Sequence, residues 1–170
     1  MNQLPPECHS VYIGLGGNVA NPAQTLRSGR IALAGQAGIQ EKACSSLYRS
    51  TPMGPADQPD YVNAVMWIET TLTPIQLLDV LQAIENSHGR IRQGERWGPR
   101  TLDLDILLYD DLIMNESRLT LPHPGVTERE FVLYPLAEIA PAGLCIPGKG
   151  LLSDWLQRCP RRSLTVLPDV

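Results

Sequence analysis

Residues 85–107 read ENSHGRIRQGERWGPRTLDLDIL, and this stretch decides the fold. Its start closes a helix whose apolar positions, Leu77, Leu78, Leu81 and Ile84, fall at i, i+1, i+4 and i+7. Thr73 caps that helix, Pro74 takes its first position and Gly89 ends it. Its end alternates: Leu102, Leu104 and Ile106 face one way and Asp103 and Asp105 the other, the period of a strand over 101–109. Between them lies a loop with Arg90, Arg92, Arg96 and Arg100, and with glycines at 89, 94 and 98. Such a loop is expected to move and to close over a polyphosphate.

Toward the N-terminus, YVNAVMWIETT (61–71) alternates as a strand. Val62, Ala64, Met66 and Ile68 share one face, and Tyr61, Asn63, Val65, Trp67 and Glu69 the other. Asn63 is there either as a satisfied core amide or as a ligand-binding one. STPMGPADQPD (50–60) holds three prolines and reads as an irregular loop. Residues 39–49 read as a further strand, and Val11 to Leu15 as the first, running into a turn at Gly14-Leu15-Gly16-Gly17-Asn18. Asn21 and Pro22 open a helix with Leu26, Ile31 and Leu33 as its apolar residues, weakened by Gly29. A dinucleotide fingerprint does not fit, because Val19 stands at the third glycine position and Gly35–Gln36 where an acidic residue would hold a ribose. The glycines are expected to keep backbone close to something.

Toward the C-terminus, Leu112–Met114 reads as a short return strand. Thr127 opens a short helix to about Pro135, with another turn over 136–140. Residues 148–159 hold a last helix with Leu151, Leu152, Trp155 and Leu156 inward, and 164–167 an edge strand. The order β-α-β-β-α-β with a helical C-terminal extension is an α+β, ferredoxin-like arrangement: an antiparallel sheet with helices on one face. One domain is expected over 11–170, after a short N-terminal extension at 1–10.

The chain has 170 residues, 43% hydrophobic and 19% charged, enough for a substantial core. A net charge of −4 argues against a broad basic face for nucleic acid. Twelve of its fourteen basic residues are Arg, whose planar fork pairs bidentately with phosphate. Cys8, Cys44, Cys145 and Cys159 show no C-x-x-C spacing, so they read as reduced thiols. No run approaches the ~20 apolar residues of a membrane span. The expectation is a soluble, cytoplasmic protein with no membrane or nucleic-acid partner, acting as a monomer.

The chemistry gathers at Asp103 and Asp105. Same-face neighbours on a strand stand about 6.6 Å apart at Cα, a spacing that lets two carboxylates converge on a hard cation. The bland reading is two solvated side chains; four arginines just upstream favour phosphate and Mg²⁺ instead. Trp97 among those arginines suits a lid that packs on a planar ligand.

The run Arg96-Trp97-Gly98-Pro99-Arg100-Thr101-Leu102-Asp103-Leu104-Asp105-Ile106-Leu107 resembles the signature of the 6-hydroxymethyl-7,8-dihydropterin pyrophosphokinases of folate biosynthesis. The glycine motif at 14–18, the stretches 54–55 and 58–63, and Leu121-Pro122-His123-Pro124 resemble that family in the same order, over roughly residues 11–160. The resemblance implies transfer of pyrophosphate from ATP to the pterin hydroxymethyl group, releasing AMP, with two Mg²⁺. It implies that Asp103 and Asp105 are metal ligands. Arg90, Arg92, Trp97, Arg100, Asp105 and His123 would serve catalysis. Gln82, Glu85, Arg90, Arg100, Ile106, Arg118, Thr120, His123 and Arg129 would face the nucleotide. Ser50, Thr51, Pro52, Met53, Tyr61, Asn63, Trp97 and Phe131 would form the pterin pocket. Gln93 departs from the pattern, standing where the family often has a basic loop residue. No dedicated base is identified, Asp105 being the nearest candidate. A metal-dependent phosphohydrolase and a non-catalytic small-molecule-binding domain are the competing readings.

Overall fold

The computed structural model describes residues 6–51, 58–89 and 101–168. The described residues form an antiparallel sheet packed with four helices. Its strands are β1 (His9–Gly17), β2 (Ile39–Cys44), β3 (Tyr48–Ser50), β4 (Tyr61–Thr70), β5 (Asp103–Tyr109) and β10 (Thr165–Val166). They lie in the order β10-β3-β4-β1-β5, with β2 also on β4, and every pairing is antiparallel. Two small hairpins stand apart, β6 (Met114–Asn115) with β7 (Thr120–Leu121), and β8 (Cys145–Ile146) with β9 (Gly150–Leu151). The helices are α1 (Pro22–Ala34), α2 (Pro74–Ser87), α3 (Glu130–Ile139) and α4 (Leu152–Arg158). None of these is long and apolar enough to cross a membrane.

The first two helices start as their caps require. Asn21 accepts from the Gln24 amide, and Thr73 with Gln76 forms a reciprocal capping box. α1 and α2 cover one face of the sheet. There Leu26, Leu33, Leu77, Leu81 and Ile84 pack on Val11, Ile13, Val62, Met66, Ile68, Leu102, Leu104 and Ile106. Gly29 is a packing residue: a Cβ on it would stand 2.9 Å from Leu102 Cδ2, so the buried Leu102 or α1 would have to shift. Ile31, expected on the apolar face, is 72% exposed, because the buried stripe is Leu26, Gly29 and Leu33.

The other face is covered too, which corrects the one-sided arrangement read from the element order. Tyr12, Val65, Leu107 and Leu108 meet Val132, Leu133 and Leu136 of α3 together with Leu152 of α4. Val65 and Trp67 on β4 therefore also face packed side chains rather than water.

Other boundaries differ for identifiable reasons. The expected glycine turn is strand: β1 runs through Gly17, because Gly14 and Gly16 are paired on both sides, to β4 and β5. The strand expected over 39–49 breaks into β2 and β3. At the break the Ser45 amide donates to Val65 O (2.8 Å) and the Val65 amide to Ser45 Oγ (2.9 Å), so a hydroxyl stands in for a ladder carbonyl. The return strand lies at Met114–Asn115, not 112–114, and Ile113 is 67% exposed. The two short helical pieces expected over 127–140 are one helix, α3, with Pro135 inside it. Burial of Val132, Leu133 and Leu136 carries that helix across the missing amide. Leu151 is 42% exposed, since it sits in extended backbone before α4 and belongs to the β8–β9 hairpin. The edge strand expected near 164–167 is β10, on β3.

Candidate active site

The site is built on the open half of the second sheet face. Asp103 and Asp105 leave β5 on that face, while Leu102, Leu104 and Ile106 enter the core under α1 and α2. The register places Gly16 opposite Asp103 and Gly14 opposite Asp105. On the far side of β1, Gly16 is also opposite Asn63. Two carboxylates and an amide thus lie on one face, separated by a strand without side chains; neighbouring strands stand about 4.8 Å apart, so the span is about 10 Å.

Asn63 is 5% exposed. Its Nδ2 donates to Ser50 Oγ (2.8 Å), and among the described residues no donor reaches its Oδ1. That oxygen hangs over Gly16, where a Cβ would stand 3.2 Å from it. A buried carbonyl left unpaired costs about 1–3 kcal/mol. Tyr61 begins β4 one side-chain position from Asn63 and is half-buried. Phe131 is half-buried at the start of α3, with the Arg129 guanidinium 5.8 Å from its ring centroid. Thr51 Oγ1 donates to Ser163 Oγ (3.0 Å), and Ser163 Oγ donates to Glu130 Oε1 (3.0 Å). The Ser50–Thr51 wall is therefore braced by the C-terminal segment. At the end of β1, Asn18 is 1% exposed and its Nδ2 donates to Pro59 O (3.2 Å) and Gln58 Oε1 (3.3 Å).

Across from Asp105 stands His123, whose amide donates to Leu107 O (2.9 Å). The Gly125 amide donates to His123 Nδ1 (3.0 Å). The neutral ring therefore carries its proton on Nε2, 4.0 Å from Asp105 Oδ2. Burial pushes the imidazole below its ordinary pKa, Asp105 pulls it up and Arg129 pushes it down.

The remaining nucleotide-side candidates spread over α2 and the β6–β7 hairpin. Arg118 Nη2 donates to Asp79 Oδ1 (2.6 Å) and reaches Gln82 Oε1 (3.5 Å), so Arg118 and Gln82 are brought together at the surface. Thr120 is half-buried in β7. Ile106 is buried among the helices, so a nucleotide contact from it is confined to main-chain atoms. Glu85 is 3% exposed, and its Oε2 accepts from the Leu104 amide (3.0 Å). Pro52, Met53, Arg90, Arg92, Gln93, Trp97 and Arg100 lie outside the described residues, and with them the expected moving loop.

The donor set suits Mg²⁺. Among the described residues no three His, Cys, Asp or Glu side chains converge as a metal cage. Two carboxylates on a side-chain-free floor fit a cation that keeps several waters and takes phosphate oxygens. Sequence reasoning missed Gly16 as the floor beneath Asn63 and Ser163 as a brace; a glycine opposite an aspartate is visible only once the strand register is known.

The family model for 7,8-dihydro-6-hydroxymethylpterin-pyrophosphokinase (HPPK) matches residues 12–141. The chain belongs to the HPPK family. Among curated members it is 47% identical to the 2-amino-4-hydroxy-6-hydroxymethyldihydropteridine pyrophosphokinase of Haemophilus influenzae, over 88% of this chain and 92% of that one. To the enzyme of the same name from Pseudomonas aeruginosa it is 46% identical, over 93% and 96%. A crystal structure of Plasmodium falciparum HPPK-DHPS A437G with SDX-DHP shares the fold, with a TM-score of 0.72 at 14% identity. That match takes in 91% of this chain and 46% of the longer Plasmodium chain.

Proposed function

We propose that this HPPK-family chain transfers pyrophosphate from ATP to the hydroxymethyl group of 6-hydroxymethyl-7,8-dihydropterin, releasing AMP, in folate biosynthesis. Family membership supports the enzyme class, and relatives at 46–47% identity carry that name over nearly their full length. The observation that carries the reading is the shared face: Asp103 and Asp105 on β5, the glycine floor of β1, and the buried Asn63 carbonyl on β4, which no donor reaches among the described residues. A flat heterocycle lying across the floor meets an amide at its polar edge and carboxylates at its other end.

Tyr61 and Phe131 supply the ring-binding walls, Ser50 and Thr51 the edge beside Asn63, and Pro52 and Met53 further pterin contacts. Asp103 and Asp105 hold two Mg²⁺, which when bound neutralise phosphate charge and acidify the attacking hydroxyl. Arg90, Arg100, Arg129 and His123 bind phosphate oxygens, with His123 donating from Nε2; Arg118, Thr120, Gln82, Glu85 and the Ile106 backbone line the nucleotide side. Arg92 and Trp97 serve catalysis, Trp97 also contacting the pterin. Charge spreads over phosphate oxygens in such a transfer, so positioning and electrostatics carry most of the rate. We read the strand order as the ferredoxin-like βαββαβ core with a helical C-terminal extension, a single cytoplasmic domain over 11–170 acting as a monomer.

The test is incubation with ATP, Mg²⁺ and the hydroxymethyl dihydropterin, with the nucleotides resolved. Pterin-dependent AMP is expected. Phosphate or ADP formed without pterin would put a phosphohydrolase in its place, and absence of turnover a binding domain.

A further inference from the structure

Glu85 is a carboxylate on α2 that is 3% exposed, and burying a charge is costly unless it is well bonded. Its Oε2 takes the amide of Leu104, the residue between the two site aspartates. Among the described residues β5 ends the sheet, with β1 on one side only. The Leu104 amide therefore points away from the ladder, and Glu85 receives it where another strand would. A carboxylate accepting an N–H makes a shorter and stronger bond than a neutral acceptor. Fixing that amide fixes the peptide plane joining Asp103 to Leu104, and with it the directions in which Asp103 and Asp105 leave the strand. The anchor is stiff: α2 starts in a full capping box and buries Leu77, Leu81 and Ile84.

We propose that Glu85 is a positioning residue of the metal site, setting the separation and aim of Asp103 and Asp105 through the Leu104 amide. It acts by holding the strand, from the side of the cleft where the nucleotide is proposed to lie. The proposal rests on the reading of the aspartates as metal ligands.

The experiment titrates Mn²⁺ into the full chain, saturated with a non-hydrolysable ATP analogue, and follows the free ion by electron paramagnetic resonance. Loss of a bond behind a metal ligand typically costs 10–100-fold in metal affinity. Glu85→Ala is expected to weaken Mn²⁺ binding by at least about tenfold. Pterin affinity, read by fluorescence without metal, stays close to that of the parent. Glu85→Gln, which keeps an acceptor for Leu104, restores most of the Mn²⁺ affinity. Hydrogen exchange at the Leu104 amide accelerates in the alanine variant and not in the glutamine one. Unchanged Mn²⁺ affinity in Glu85→Ala overturns the proposal, and so does a glutamine variant as weak as the alanine one, which would assign the effect to charge. Should Glu85→Ala not fold, Glu85→Asp, one methylene short of the amide, takes its place with the same expectation. If the parent chain itself fails to bind Mn²⁺, it is the metal reading of the aspartates that falls.

Discussion

The two halves of β5 lie on one strand and meet opposite neighbours. On the second sheet face, the first half presents Asp103 and Asp105 over Gly16 and Gly14. The second half presents Leu107 and Leu108 beneath α3, beside Tyr12 and Val65. A bulge separates them: Ile13 pairs with Ile106 and Tyr12 with Leu108, leaving Leu107 as the extra residue. The bulge turns two successive leucines toward one face and closes the packed region there. The open half owes its openness to the strand beside it, where glycines stand in place of Tyr12. A site on this sheet is thus made by what the neighbouring strand leaves out.

If the halves differ in this way, substitutions in the open half should change chemistry and leave stability alone, and those in the covered half the reverse. The largest effect is expected for Asp105→Asn, which removes one of the two proposed metal ligands: turnover falls on the order of 10³-fold while the unfolding midpoint holds. AMP formation beside a thermal melt checks this, and activity within tenfold of the parent would break the contrast. Next comes Leu133→Ala under the covered half, a fully buried side chain. It should cost about 2–4 kcal/mol in denaturant unfolding with kcat nearly unchanged in the surviving fold. Gly16→Ala should weaken pterin binding by roughly tenfold, because the new methyl displaces Asn63 Oδ1, with nucleotide affinity retained. Isothermal titration with each substrate separates the two. Gly14→Ala sharpens the point, since its methyl would meet only the flexible end of Leu107 at 3.3 Å, and it should change little in either assay.

A separate effect concerns pH. Burial, with Asp110 adding to it, pushes the Tyr109 hydroxyl up to about 12. That hydroxyl donates to Leu72 O (2.6 Å). The unfolded chain releases this proton near pH 10 and the folded chain only near 12, so stability present below pH 10 is lost as pH rises toward 12. Tyr48 behaves alike, pushed up to about 12 by burial and by its bond to Glu138. Unfolding midpoints followed across pH 9–12 should fall, and Tyr109→Phe should make the fall shallower.

Much of this was legible in the residues, and the pattern of what was not is physical. Caps and periodicity located α1 and α2, because Asn21, Thr73 and their prolines act within one turn of themselves. The carboxylate pair was legible from alternation alone. The break between β2 and β3 was not, since it depends on a Ser45 hydroxyl bonding a strand some twenty positions away. Pro135 misled because local propensity cannot weigh the burial of Val132, Leu133 and Leu136 that holds α3 together. The same holds for the second packed face: nothing in residues 130–158 says which side of the sheet they will cover. Gly16 needed the register, and Glu85 needed both the helix and the strand edge.

The brace from Ser163 to Thr51 bears on how the molecule is made. Ser50 and Thr51 emerge early in synthesis, yet β3 gains its outer partner only at Thr165–Val166, and Thr51 its hydroxyl partner only at Ser163. Every residue of the metal pair and the glycine floor precedes them. At a halt near residue 158 the metal pair and the glycine floor have been translated, and the chain that braces the Ser50–Thr51 wall has not.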